Sequence, residues 1–194
     1  MSLKNDNGPW LKRGRQRAAV GQVLRRPMTA TQICTAARAI SPRIQLRDVW
    51  LLMRQFAERG LVACLNPKQA TGRLYCLTNQ GRKEVSSAFG ISIAVTPEGI
   101  EWHKYSWVVR AKIRRLSLDG LGRVEEQTGE AQTATQIRKQ IRVEQAVGLN
   151  PVIRALQELL KLGLVQSEGV TKKQRRKLYR LTPSGKRILD QLKH

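Results

Sequence analysis

Acidic residues are scarce in this chain. Fourteen Asp and Glu stand against 36 Lys and Arg among 194 residues, a formal charge of +22. Residues 1–100 hold 16 basic and 5 acidic residues, and residues 101–194 hold 20 and 9, so each half carries +11. That excludes an acidic docking module joined to a basic one, and it points to a polyanion, nucleic acid first, as partner. Histidine is almost absent, at His103 and His194 alone, and the three cysteines Cys34, Cys64 and Cys76 show no CxxC spacing. No metal site follows from these, and the cysteines read as small core residues of a reducing cytosol. Aromatics make up 5% of the residues and form no series, which argues against a stacking platform for single strands. No apolar run approaches the ~18 residues of a membrane span, and Met1 to Arg17 lacks the apolar core of a secretory signal. Phosphate-cradling and dinucleotide-binding glycine motifs are missing too, so no enzyme and no cofactor is expected.

What the chain does have is a repeated text. Thr133-Ala134-Thr135-Gln136-Ile137 restates Thr29-Ala30-Thr31-Gln32-Ile33, a capping box and first helical turn. Gly163-Leu164-Val165 restates Gly60-Leu61-Val62, and Leu178-Tyr179-Arg180-Leu181-Thr182 restates Leu74-Tyr75-Cys76-Leu77-Thr78, with Gly185 matching Gly81. Ordered matches over some fifty residues mean one module used twice. Each copy reads as helix, capped helix, third helix, strand, basic loop, return strand and closing helix. Ser41-Pro42 breaks the second helix of the first copy, the third spans roughly Gln45 to Arg59, and Thr78 caps a helix through about Ala88. In the second copy Asn150-Pro151 supplies an N-cap and first-turn pair, Gly163 stops the helix, and Thr182-Pro183 opens the last one.

Between the copies, Ile91 to Val95 alternates like a strand, and Tyr105 to Leu116 reads as a helix with Val108, Val109 and Ile113 inward. Asp119 to Gln132 contains glycines and acids, and reads as a mobile loop held away from any polyanion. The expected organisation is a basic flexible arm over 1–12, a domain over 13–89, a linker over 90–104, and a second domain over 105–194 that includes the acidic loop 119–132.

At 100° per residue the third helices sort into two faces. Val49, Leu52, Met53 and Phe56 must be core in the first, and Val152, Ala155, Leu156 and Leu159 in the second. The opposite faces carry Arg43, Arg47, Leu51 and Arg54, and Asn150, Arg154, Gln157 and Lys161. Such residues suit base edges, Arg for guanine and Asn or Gln for adenine. The strand-connecting loops carry Lys68, Gln69, Thr71 and Arg73, and Lys172, Lys173, Gln174, Arg175, Arg176 and Lys177. Five positive charges in the seven residues 171–177 are costly to hold close without an anion. Tyr75 and Tyr179 fall at equivalent strand positions and read as core; Trp50 reads as flank packing.

The Leu-Tyr-x-Leu-Thr-x-x-Gly pattern after a helix and Gly-Leu-Val resembles winged helix-turn-helix regulators, the MarR-like and PadR-like groups in particular. The resemblance covers roughly 13–88 and 105–192. It implies a mainly α fold with small β-hairpins (α+β), in two tandem winged helix-turn-helix domains. It also implies that the third helices enter the major groove and the basic hairpins touch backbone or minor groove. The function expected is a sequence-specific double-stranded-DNA-binding transcriptional regulator, a repressor, in the cytoplasm and associated with the nucleoid. It would act as a homodimer or as a monomer using both domains on one site. A plasmid or mobile-element replication protein, a structured-RNA binder and a tandem winged-helix protein scaffold are the alternatives.

Overall fold

The computed structural model describes residues 7–141, 147–170 and 176–193. The chain divides into two compact units, Met1–Glu98 and Gly99–His194. More than half of it is helical, with two small antiparallel sheets, an α+β architecture.

The first unit runs α1 (Asn7–Arg13), α2 (Arg15–Val23), β1 (Met28–Thr29), α3 (Ala30–Ala37), α4 (Leu46–Glu58), β2 (Val62–Cys64), β3 (Leu74–Leu77) and α5 (Asn79–Phe89). Its sheet has the order β1-β3-β2, with Met28 opposite Tyr75 and Val62 opposite Leu77. The second runs α6 (Trp102–Val109), α7 (Lys112–Thr128), β4 (Gln132–Thr133), α8 (Ala134–Gln140), α9 (Leu149–Lys161), β5 (Val165–Val170), β6 (Lys177–Leu181) and α10 (Pro183–Lys193). Its sheet repeats the order as β4-β6-β5, with Gln132 opposite Tyr179 and Val165 opposite Leu181.

The repeated text has a physical reason at each end. Thr29 Oγ1 accepts from the Gln32 amide at 3.3 Å, and the Thr29 amide donates back to Gln32 Oε1 at 2.9 Å. Thr133 and Gln136 close the same box at 3.4 and 2.9 Å. Two otherwise orphaned amides are satisfied, which starts α3 and α8 where the strands end. At the other end, the Thr78 hydroxyl donates to the Gly60 carbonyl at 2.6 Å and accepts from the Gly81 amide at 2.9 Å. Thr182 does the same with Gly163 and Gly185 at 2.7 and 3.1 Å. Gly60 and Gly163 lie at φ near +70°, in the left-handed region that ends α4 and α9. Gly81 and Gly185 are glycine for another reason. A Cβ there would stand 1.9 Å from the Leu61 carbonyl oxygen, or 2.0 Å from that of Leu164.

Val49, Leu52, Met53 and Phe56 are buried on α4, and Val152, Ala155, Leu156 and Leu159 on α9, as their periodicity requires. Tyr75 and Tyr179 are buried on their sheets, and among the cysteines Cys34 and Cys76 are buried while Cys64 is half-buried. Each fully buried side chain as large as Phe56 or Leu156 contributes roughly 1.5–3 kcal/mol.

Several expectations need correction. Residues 7–12 are not an arm: they form most of α1, with Leu11 fully buried and Trp10 edge-on to Phe56 at 5.3 Å. Ile91–Val95 forms no strand, because no neighbour pairs with it; Ile91 and Ile93 instead pack partly against the first core. The helix expected over Tyr105–Leu116 breaks at Arg110-Ala111, where Ala111 takes an extended conformation and α7 begins afresh. The 90–104 linker ends early, since α6 starts at Trp102.

The largest correction is the acidic loop 119–132, most of which is helix. Leu118, Gly120, Leu121, Gly122 and Val124 are buried along α7. Its glycines are contact points rather than turns: a Cβ on Gly120 would meet the Ile137 carbonyl at 3.0 Å, and one on Gly122 would meet Leu189 at 2.1 Å. Three of the four acids in 119–132 are paired within the unit. Asp119 pairs with Arg123 at 2.7 Å and Glu126 with Lys193 at 2.6 Å. Glu125, its side chain only 8% exposed, pairs with Lys186 at 3.0 Å and accepts from the Leu181 amide at 3.0 Å.

The helix has its counterpart in α2, and the likeness of the two units reaches further towards the N-terminus than the capping box. Trp10 and Arg17 recur as Trp107 and Arg114. Arg17 Nη1 donates to the Trp10 carbonyl at 2.7 Å, with its guanidinium 4.1 Å from the indole centre. Arg114 Nη1 donates to the Trp107 carbonyl at 2.9 Å, at 3.2 Å from its indole. The offset is 97 residues here and 104 at the capping box. The difference lies in α7, eight residues longer than α2, less one residue in the connection to the strand that follows.

Candidate nucleic-acid interface

Helices α4 and α9 are both thirteen residues long and align residue for residue at an offset of 103. Arg47 corresponds to Asn150, Trp50 to Ile153, Leu51 to Arg154, Arg54 to Gln157 and Glu58 to Lys161. Arg154 and Arg54 are therefore not equivalent, although both lie on outward faces.

On α9 the outward face is polar and uncommitted. Asn150, Arg154, Gln157 and Lys161 are exposed and make no hydrogen bond or ion pair among the described residues. The acid of this helix is drawn to its other side, where Glu158 accepts from Arg114 Nε at 2.7 Å. The start of the helix differs from expectation. Gly148 is the N-cap and Leu149 the first helical residue, so Asn150 stands inside the first turn with Pro151 beside it. Pro151 is still within the first turn, where its missing N–H loses no helical bond.

A groove beside this face is lined by Thr135 of α8, Leu149, Ile153 and Gln157 of α9, and Arg176 and Lys177 at the hairpin. Arg176 Nη1 donates to Thr135 Oγ1 at 3.4 Å, which ties the hairpin base to the α8 start. Gln157 and two hairpin cations thus border one concavity. Strand β5 projects beyond the core with five exposed residues, and carries a bulge between Ser167 and Val170 with Gly169 at φ 108°. Glu168 and Arg180 pair across the strands at 2.6 Å. Lys172, Lys173, Gln174 and Arg175 lie outside the described residues.

In the first unit Arg47, Leu51 and Arg54 are exposed on α4, but Arg43, expected on the same face, stands exposed in the turn before the helix begins at Leu46; the face is more engaged and more apolar. Arg54 Nε bonds Glu58 at 3.0 Å, and Arg47 leans on Asp48 at 3.6 Å. The loop between β2 and β3 is clamped by Asn66, which is buried. Its Oδ1 accepts from the Leu74 amide at 2.7 Å and its Nδ2 donates to the Gly72 carbonyl at 3.1 Å. Gln69 is half-buried and hydrogen-bonded to Asn66, so it serves the loop; Lys68, Thr71 and Arg73 face outward. Arg73 Nε donates to the Gln69 carbonyl at 3.2 Å.

The arrangement of two successive helices, the second with an open polar face, followed by a pair of antiparallel strands, is reproduced in the comparison with known families. Residues 122–185 match the winged helix DNA-binding domain. The match begins within α7, takes in β4, α8, α9, β5 and β6, and ends in the first turn of α10. It spans about a third of the chain, all of it in the second unit. No curated protein matches the chain.

In the winged-helix segment, α9 occupies the place of the helix that follows the turn, and β5-β6 the place of the wing. The helix and the two strands lie where the capping box and the Gly-Leu-Val stop put them. Trp50, read as flank packing, does pack against the sheet, though only in part. Trp50 is 43% exposed, edge-on to Tyr75 at 6.2 Å, and Leu51 beside it is 60% exposed. Among the described residues no cluster of His, Cys, Asp and Glu could hold a metal ion, and no helix is long and apolar enough to cross a membrane.

Proposed function

We propose that the chain is a sequence-specific double-stranded-DNA-binding protein with two tandem winged-helix domains, acting as a transcriptional repressor at the nucleoid. The observation that carries this reading is the α9 face: Asn150, Arg154, Gln157 and Lys161 are exposed and without partners, in a segment matching a winged helix DNA-binding domain. An exposed Arg or Gln with no partner can form bidentate contacts to guanine or adenine without breaking an existing bond. The wing residues Lys68, Thr71, Arg73, Arg176 and Lys177, with the lysines and arginines of 172–175, supply phosphate contacts that fix register. The +22 charge supplies the long-range attraction. Occupying an operator requires no chemistry, which suits a repressor.

Salt titration of duplex binding tests the electrostatic half of this. If ~6–10 phosphates are neutralised, affinity falls ~10³–10⁵-fold between about 50 and 200 mM salt. A flat response contradicts it.

A further inference from the structure

The two third helices are built alike inside and differently outside. Where α9 places Arg154, α4 places Leu51; where α9 places the half-buried Ile153, α4 places Trp50, 43% exposed. Leu46, in the first turn, is 39% exposed. None of the three is needed for the core, which Val49, Leu52, Met53 and Phe56 already fill. The polar groups beside them are partly spoken for, Arg54 by Glu58 and Arg47 by Asp48. Exposed cations outnumber exposed acids around them: Arg43, Arg47 and Arg54 near in sequence and Lys68 and Arg73 on the hairpin, against Glu58. An apolar strip bordered by positive charge fits a surface that is polyanionic yet carries apolar groups. The thymine 5-methyl is the apolar group that base pairs present in the major groove.

We propose that α4 reads thymine methyl groups through Leu51 and Trp50, so that the first unit prefers thymine at one or two adjacent positions while α9 reads by hydrogen bonds. The inference rests on the DNA-binding reading above. Leu51 stands at the centre of the outward face, between Arg47 and Arg54, where a probe entering the groove meets base edges first. Trp50 is held edge-on to Tyr75 of β3, so its ring is oriented before any contact is made. Buried against a side chain, one methyl is worth about fourfold in affinity.

The test replaces thymine with uracil, which deletes the methyl and leaves every hydrogen-bonding edge in place. The full chain is first used to select its preferred duplex from a randomised pool. That duplex is then made with uracil at each thymine in turn and titrated with wild type, Leu51→Ala and Trp50→Ala. Wild type should lose about fourfold per contacted methyl, at one or two adjacent positions. Leu51→Ala should bind the thymine duplex more weakly and lose the distinction at one of them. Leu51 is exposed, so thermal melting should show the variant folded. Equal binding of thymine and uracil duplexes by wild type overturns the methyl reading but leaves DNA binding intact, as does full uracil sensitivity in both variants. Failure to select any duplex overturns the DNA-binding reading itself, and this inference with it.

Discussion

The Arg114 guanidinium lies 3.2 Å from the centre of the Trp107 indole while its Nε donates to the Glu158 carboxylate at 2.7 Å. One side chain thus fastens α6 to α7 and both to the inner side of α9. The first unit has the Trp10–Arg17 stack but no acid, since Gln55 stands where Glu158 does. There Arg59 closes on the indole from 4.3 Å and donates to Asn7 Oδ1 at 3.3 Å. Burial, and then the Arg59 charge, pull the Arg17 guanidinium below its usual value.

Arg114→Ala should therefore destabilise the second unit by about 2 kcal/mol, the sum of a cation–π contact and one charge-assisted hydrogen bond, discounted because the pair is partly exposed. Glu158→Gln should cost less, because the amide oxygen still accepts. Urea unfolding of the three proteins checks the order, and equal midpoints for Arg114→Ala and wild type would count against the fastening role.

The glycines divide into two classes that mutation should separate. Gly81→Ala and Gly185→Ala force a Cβ to within 2.0 Å of a carbonyl, so each should cost at least ~3 kcal/mol, at or beyond the upper end of overpacking. Gly163→Ala meets nothing within 4 Å and suffers only the left-handed backbone, about 1–2 kcal/mol. Thermal melts of the variants should rank them in that order.

Glu101 provides a pH handle. Its carboxylate pairs with Lys104 at 2.8 Å and accepts from Ser184 Oγ at 2.6 Å, joining the starts of α6 and α10. Hydrogen bonds from Lys104 and then Ser184 hold its pKa below the usual carboxylate value. A lowered folded value means that the contribution is present above the unfolded pKa of ~4.3 and lost as pH falls through the folded one. Melting temperature against pH should drop less steeply below about pH 4.3 for Glu101→Gln than for wild type. Parallel curves would dismiss the linkage.

The sequence was most legible where periodicity and capping agreed. The core faces of α4 and α9 and the Thr29, Thr78, Thr133 and Thr182 caps follow from residue spacing alone. The α7 helix was illegible because its signals mean two things. Gly120 and Gly122 look like turn formers but serve close packing, and Asp119, Glu125 and Glu126 look solvent-bound but are paired within the unit. Spacing also failed at Asn150-Pro151, where Gly148 takes the cap instead. At the interface, the sequence could place Leu51 and Arg54 on one face, but not reveal that Arg54 is held by Glu58.

The wing prediction separates holding from reading. Substituting Arg176 or Lys177 should weaken all duplexes alike and lower the salt slope by roughly one per charge removed. A sequence-dependent loss would place these residues on bases instead.

Selection of a preferred site from a randomised duplex library, at fixed salt, by wild type and Arg154→Ala tests sequence reading by α9 most directly. The account predicts that Arg154→Ala binds the wild-type site more weakly by about 1–3 kcal/mol and loses its preference at one base pair. An unchanged preference at every position would mean that α9 reads no bases and that the chain holds DNA by charge or shape alone.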